Sequence, residues 1–114
     1  SITKTVDKVS CGALKYCTLT KTNNLNRLII SLKENNVFIV GMDCSANDDI
    51  YNTNFKEYNK IAIIVGCEKK GIKFLTKKLC DKLLKIIINK KTDSLNVSVA
   101  LGVSLFEIIR QIRT

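Results

Sequence analysis

The chain has 114 residues, 46% of them hydrophobic, with nineteen basic and ten acidic side chains and a formal net charge of +9. That length suits one domain with a real core, no apolar run reaches the roughly 18 residues of a membrane span, and the polar start carries no signal-peptide pattern, so a cytoplasmic protein is expected. Histidine is absent and the five cysteines are scattered with no CxxC pair, which argues against zinc, a Cys–His nucleophile and a disulfide framework and leaves reduced thiols acting as small apolar fillers.

In chain order, residues 1–14 are small and polar. Val6, Val9, Ala13 and Leu14 allow a short helix that Gly12 would weaken. Residues 16–19 alternate β formers and suggest a short strand. Asn23 or Asn24 suits a helix cap. Leu25, Leu28, Ile29 and Leu32 then follow the i, i+3, i+4, i+7 rule, so an amphipathic helix is expected to end near Asn35 and Asn36. Residues 37–40 form an apolar strand stopped by Gly41. Residues 42–59 are polar and predict a loop, with a helical turn near 54–58.

Residues 61–65 are continuously apolar, as in a strand covered on both faces. A loop over 66–71 follows, and Ile72, Leu75, Leu79 and Leu83 mark the inward face of a helix. Residues 84–88 predict another buried strand, and 89–93 a loop. From Thr92 to Arg110 the chain predicts a terminal helix, with Asp93 or Ser94 as its cap. Val97, Val99, Leu101, Val103, Leu105, Phe106, Ile108 and Ile109 make it apolar on nearly every side, so it is expected to be fully buried. Gly102 in its middle costs about 1 kcal/mol against Ala and suggests that another backbone lies close. Apolar strands alternating with amphipathic helices indicate an α/β fold with a parallel sheet. Repeats, low-complexity tracts and prolines are absent from the sequence.

In such a sheet, ligands bind beyond the carboxyl ends of the strands. The strand exits at Gly41, at 66–71 and at 89–93 would gather at one edge. Glu68 lies between Gly66 and Gly71, and the polar mouth of the last helix, Asp93, Ser94, Asn96 and Ser98, faces the same rim. The local alternatives are a plain βα turn and simple caps. GxGxxG and Walker motifs are absent. The positive charge fits a polyanionic partner such as RNA, although sixteen of the nineteen basic residues are Lys and the accompanying Asn and Ile look like an AT-rich genome. Few aromatics and no arginine cluster argue against a stacking platform for single strands.

Val65-Gly-Cys-Glu-Lys-Lys-Gly-Ile72, a helix, a strand, then Asp93-Ser-Leu-Asn-Val-Ser-Val-Ala-Leu-Gly-Val-Ser-Leu-Phe-Glu107 resemble the last two motifs of the SpoU/TrmH family of RNA ribose 2′-O-methyltransferases. Lys8-Val-Ser-Cys-Gly-Ala13, Asn24-Leu25 and Phe38-Ile-Val-Gly41 extend the similarity over nearly the whole chain. It is nearest the branch that methylates a guanosine of large-subunit (23S) ribosomal RNA. The resemblance implies a SPOUT-type α/β knot: a parallel sheet flanked by helices, with the C-terminal segment threaded into a trefoil. It also implies a homodimer with the last helix at its interface, and S-adenosylmethionine bound in the knot.

Carried over by motif, Gly41, Met42, Val65, Gly66, Ile86 and Leu95 would contact that cofactor, largely through backbone groups. Glu68, Ser94 and Asn96 would stand at the reaction centre, and the chemistry needs no metal. The substrate would be ribosomal or transfer RNA. The family's first motif carries an Asn and the Arg given as its base or ribose-activating group, and it would lie upstream of Lys8. The chain is therefore expected to be the C-terminal portion (1–114) of one such domain, lacking the first strand–helix–strand and inactive alone. The alternative is a non-catalytic knotted module that binds RNA or dimerises.

Overall fold

The computed structural model describes residues 6–11, 14–20, 24–66, 72–86 and 97–113, with side chains described for 24–66, 72–86 and 99–113. The sheet is built around β3 (Phe38–Met42), whose last four residues are all buried. β5 (Ile61–Val65) pairs with β3 on one side, in register Phe38 with Ile61 through Met42 with Val65. On the other side β3 pairs with β6 (Lys82–Lys85), and β6 with the two-residue β4 (Asp48–Asp49). All these pairings are parallel and the order is β4-β6-β3-β5. The expected parallel α/β sheet is therefore present.

Alternate side chains of the sheet feed two cores. Val40, Met42 and Leu84 join Ile50, Phe55 and Ile108 on one face, with Phe38, Ile61, Ile63, Val65 and Ile86 packed against them. Ile39 and Ile64 join Ile29 and Ile72 on the other, with Leu25, Leu32, Leu79 and Cys80 alongside. This second layer holds α1 (Leu25–Glu34) and α2 (Phe74–Leu79); the first holds α3 (Val97–Arg113) and much of the β3–β5 connection. Coverage on both faces explains why the strands read as apolar runs rather than alternating ones.

The helix over 25–34 ends where its sequence indicates. Asn36 has φ 63°, and Asn is among the few residues that tolerate that left-handed region. The Val37 N–H donates to Leu32 O and the Asn36 N–H to Lys33 O, both at 3.0 Å, which is a Schellman closure.

Several expectations are corrected. Residues 6–11 are not helical: β1 (Val6–Cys11) pairs antiparallel with β2 (Leu14–Thr20), with an irregularity between Val9 and Cys11. β-branched Val6 and Val9 suit that ladder better than a helix. Gly41 does not stop its strand, which runs on to Met42; a Cβ there would sit 2.8 Å from Cys80 Sγ and 2.9 Å from Leu83 Cδ2, so it is a close-packing position. The polar stretch 42–59 contains β4, a 3₁₀ turn (Ile50–Asn52) capped by Asp49, and a hydrogen-bonded turn from Phe55 to Tyr58 rather than a helical one.

The helix after Ile72 is only six residues long and ends at Cys80, so Leu83 belongs to β6, and the strand expected at 84–88 is Lys82–Lys85. Leu75, expected inward, is 65% exposed, and Thr76 is buried instead. The terminal helix is not buried all round. Phe106 is 75% and Val99 49% exposed, while Ser104, Glu107 and Gln111 are buried. Among the described residues no backbone approaches Gly102: a Cβ there would meet nothing within 4 Å. Among the described residues no helix is long and apolar enough to cross a membrane.

Candidate functional site

Because β3, β5 and β6 are parallel and adjacent, their carboxyl ends lie on one rim. Met42 pairs with Val65 on one side and with Leu84 on the other, and strands two apart are separated by roughly 10 Å. Gly41, Met42, Val65, Gly66 and Ile86 are thereby gathered at the ends of three neighbouring strands. The side chains of Met42, Val65 and Ile86 turn into the first core. What they offer a ligand at the rim is mainly backbone. Glu68, Ser94, Leu95 and Asn96 lie outside the described residues, as does the rest of the 67–71 loop.

The rim has a polar bolt that sequence reasoning passed over as loop. Asp43, the first residue after β3, is 7% exposed. Its N–H donates to Leu84 O at 2.8 Å, tying the β3 exit to β6. Its Oδ2 accepts from Lys77 Nζ and from Ser45 Oγ, each at 2.9 Å, so the same carboxylate anchors α2 and closes the exit turn. The Ala46 N–H completes that turn by donating to Asp43 O at 3.0 Å. Burial raises the Asp43 carboxyl, but the hydrogen bonds from Lys77 and Ser45 outweigh it and hold the group below its ordinary value. The available signal was an Asp directly after an apolar strand with Ser two residues on, the pattern of an Asx turn.

At the other end of β6, Asp81 locks the strands together. Its Oδ2 accepts from the Ile39 N–H at 2.8 Å, and its own N–H donates to Ile39 O at 2.9 Å. Lys33 joins this point to α1, with Nζ 3.0 Å from Leu79 O and 3.6 Å from Asp81 Oδ1. Cys80 is a free thiol beside it. Burial first, then Asp81, pushes its pKa up to about 11, so it is a filler and not a nucleophile.

On the first face, Gln111 of α3 is buried and its Oε1 accepts the Phe55 N–H at 2.9 Å. Gln111 Nε2 in turn donates to Glu107 Oε2 at 2.9 Å, and Arg110 donates to both oxygens of Glu107 at 2.9 and 2.8 Å. Phe55 itself is fully buried. The cluster clasps the β3–β5 connection to the terminal helix. Among the described residues no three His, Cys, Asp or Glu side chains form a group able to hold a metal.

A rim of three parallel strand exits, mostly backbone and closed by a satisfied ion pair, is suited to holding and aligning a small ligand. Comparison with known proteins narrows the choice. The model of the SpoU rRNA Methylase family matches residues 1–106. The 23S rRNA (guanosine-2′-O-)-methyltransferase RlmB of Vibrio cholerae is 44% identical over 110 residues, 96% of this chain and 44% of that protein. The Escherichia coli K12 protein of the same name is 39% identical over 107 residues, 94% of this chain and 43% of its own. The chain thus spans less than half the length of these relatives.

Among solved structures, an RNA 2′-O ribose methyltransferase superposes with TM-score 0.69 at 26% identity, over 78% of this chain and 34% of its own. The A. aeolicus TrmH/SpoU tRNA-modifying enzyme gives 0.67 at 27%, over 80% of this chain and 45% of its own. The SpoU methyltransferase AviRb of Streptomyces viridochromogenes, solved with AdoMet, shares the fold at TM-score 0.66 and 22% identity, over 75% and 35%.

Proposed function

This chain belongs to the SpoU rRNA methylase family, and we propose that it forms the cofactor-binding part of an enzyme that methylates a ribose 2′-hydroxyl of RNA, a guanosine of 23S ribosomal RNA. The observation that carries the reading is the 44% identity to a 23S rRNA guanosine methyltransferase across 96% of the chain.

The rim fits S-adenosylmethionine. Gly66 follows β5 without a side chain to block the approach, and the exits of β3 and β6 present backbone groups beside it. Gly41, Met42, Val65, Gly66, Ile86 and Leu95 would hold the cofactor, with Gly41 and Met42 near its adenine. When bound, the cofactor supplies an electrophilic methyl group on a good sulfonium leaving group. The chain's own task is alignment, because an in-line displacement depends on holding the attacking oxygen in place. Ser94 and Asn96 orient the ribose or a neighbouring loop by hydrogen bonds, and Glu68 completes the polar reaction centre. The hydroxyl proton must pass to a base as the bond forms.

Two finer features of the family domain belong to this reading. The first is the knot. The connection from β4, at one edge of the sheet, must return to β5 at the other edge. It does so on the face where α3 packs, with Ile50 and Phe55 in the same core as Ile108. A terminal helix held between sheet and crossing segment is what a threaded C-terminus requires. The second is the rest of the sheet. Among the described residues β5 is paired on the β3 side alone. Its outer edge is open to a further strand, such as that of the family's first strand–helix–strand.

A homodimer through α3 is part of the same proposal. Val99 and Phe106 are exposed, and among the described residues nothing lies within 4 Å of a Cβ built at Gly102. A second copy would supply the close backbone that this glycine invites.

Calorimetry with S-adenosylmethionine and its demethylated product tests the reading. Micromolar-range binding that is lost in Gly66→Val and Leu95→Pro is expected, together with methyl transfer to a 23S transcript by the full-length relative of this chain. A chain that binds RNA but neither cofactor form would be the non-catalytic module instead.

A further inference from the structure

The outward side of α2 stands out among the described surfaces. Phe74 is 69% and Leu75 65% exposed. Lys73 and Lys78 flank them and are exposed as well. The Lys78 ammonium stands 4.6 Å from the centroid of the Phe74 ring, which covers one face of the ring and leaves the other to solvent. The helix has no acidic residue in its first turn and two lysines in its last. The nearby carboxylates are already engaged: Asp43 holds Lys77, and Asp81 holds Lys33 and the Ile39 N–H. Among the described residues, no carboxylate lies within ion-pair distance of Lys73 or Lys78.

We propose that this side of α2 is an RNA-docking surface, on which the open face of Phe74 stacks against a base while Lys73 and Lys78 meet the flanking phosphates. The proposal rests on the reading that the chain acts on RNA, and names the contact for it. An aromatic face with unneutralised cations around it matches single-stranded or looped RNA, where unstacked bases and phosphates alternate. The exposed face of α3 is different: Val99 and Phe106 line it, Arg110 is turned onto Glu107, and the helix carries no lysine.

The topology also places α2 correctly. β5 ends at the rim and the parallel β6 starts at the far end of the sheet, so α2 must run back from the rim and its first residue, Phe74, lies nearest it. Phe74 is six residues beyond Glu68, a reach of roughly 20 Å at most. One RNA loop held at the rim can therefore touch both. The low aromatic content of the chain argued against a stacking platform, but a stacking contact needs one ring in the right place.

The test uses the whole chain and a synthetic RNA hairpin carrying 2-aminopurine in its loop. Wild type should bind with salt-dependent affinity and quench the fluorophore. Phe74→Ala should lose the quench and bind about tenfold more weakly, Phe74→Tyr should keep both, and Lys73→Glu with Lys78→Glu should flatten the salt dependence. The melting temperature of each variant should stay near wild type, since these side chains are exposed. Unchanged affinity and quench in Phe74→Ala, with wild type binding well, would overturn the α2 surface and leave the RNA reading standing. A wild-type chain that ignores the hairpin at low salt would overturn both. Phe74→Ala that spares RNA binding but abolishes self-association would assign this face to a protein contact and reject the proposal.

Discussion

Two helices of this protein expose aromatic rings, and they do so in different surroundings. α3 has seventeen residues and a mostly apolar sequence, yet it turns Ser104, Glu107 and Gln111 inward and leaves Val99 and Phe106 outside. α2 has six residues and buries only Thr76, whose hydroxyl donates to Asn26 Oδ1 at 2.6 Å, while Phe74 and Leu75 face solvent among lysines. In both, polar side chains go inside where every hydrogen bond can be met. Apolar ones stay outside where no described residue covers them. The surroundings then separate the two surfaces: an apolar stripe over about two turns suits a second copy, and a ring beside cations with no ion-pair partner among the described residues suits RNA.

The sharpest way to break the comparison is at the inner side of α3. Phe55→Ala should cost about 3–5 kcal/mol and loosen the segment that crosses the terminal helix; a denaturant midpoint within error of wild type would show that this crossing is not packed. Next in size is Gln111→Leu, which strands the buried Phe55 N–H and takes a donor from Glu107, for about 1–3 kcal/mol. Thr76→Val on α2 should cost about 1 kcal/mol, because a single neutral hydrogen bond is lost. If the two variants melt alike, the inward polar line of α3 is no more important than the lone contact of α2.

Acid provides a further separation. Two hydrogen bonds from Arg110 hold the Glu107 carboxyl below its ordinary 4.5, against the opposing effect of burial, with Gln111 adding to the lowering. A depressed carboxylate contributes stability that is present above its unfolded pKa and is lost as the pH falls through its folded value. Thermal melts should therefore drop as the pH is taken from above 4.5 downward, and Glu107→Gln should flatten that slope. Asp43, also lowered, should contribute in the same direction. An identical slope in wild type and Glu107→Gln would remove Glu107 from the account.

The smallest change in stability, and the most selective, is expected on the outer faces. Phe106→Ser should leave the monomer within about 0.5 kcal/mol while lowering the sedimentation coefficient from dimer to monomer. Phe74→Ser should leave sedimentation alone. Equal effects of the two on self-association would erase the distinction between the faces.

Much of this was legible beforehand, and the reason differs by region. The helix over 25–34 could be read to within a residue or two of its end, because a 3.6-residue period and an Asn able to take positive φ are local properties. The strands at 38–42 and 61–65 were legible because both faces are covered, which writes a continuous apolar run. Gly41 was located correctly as an unusual position but for the wrong reason: its neighbours Cys80 and Leu83 come from the far side of α2. Asp43, Phe55 and Gln111 were missed. Each is ordinary in its own stretch and acquires its role from a partner 34 to 56 residues away. The period 72, 75, 79, 83 misled because the helix breaks at Cys80 and the phase restarts in β6.

By itself, then, the sequence determined the central strands and helices, the parallel α/β class and the family, since propensity, periodicity and motif spacing are carried by neighbouring residues. Tertiary structure alone decided which side of α2 and α3 faces inward, why Gly41 has no side chain, and that Asp43 joins three elements at the rim. Those outcomes depend on which groups from distant segments arrive to satisfy a hydrogen bond or fill a space, and no local pattern encodes the arrival.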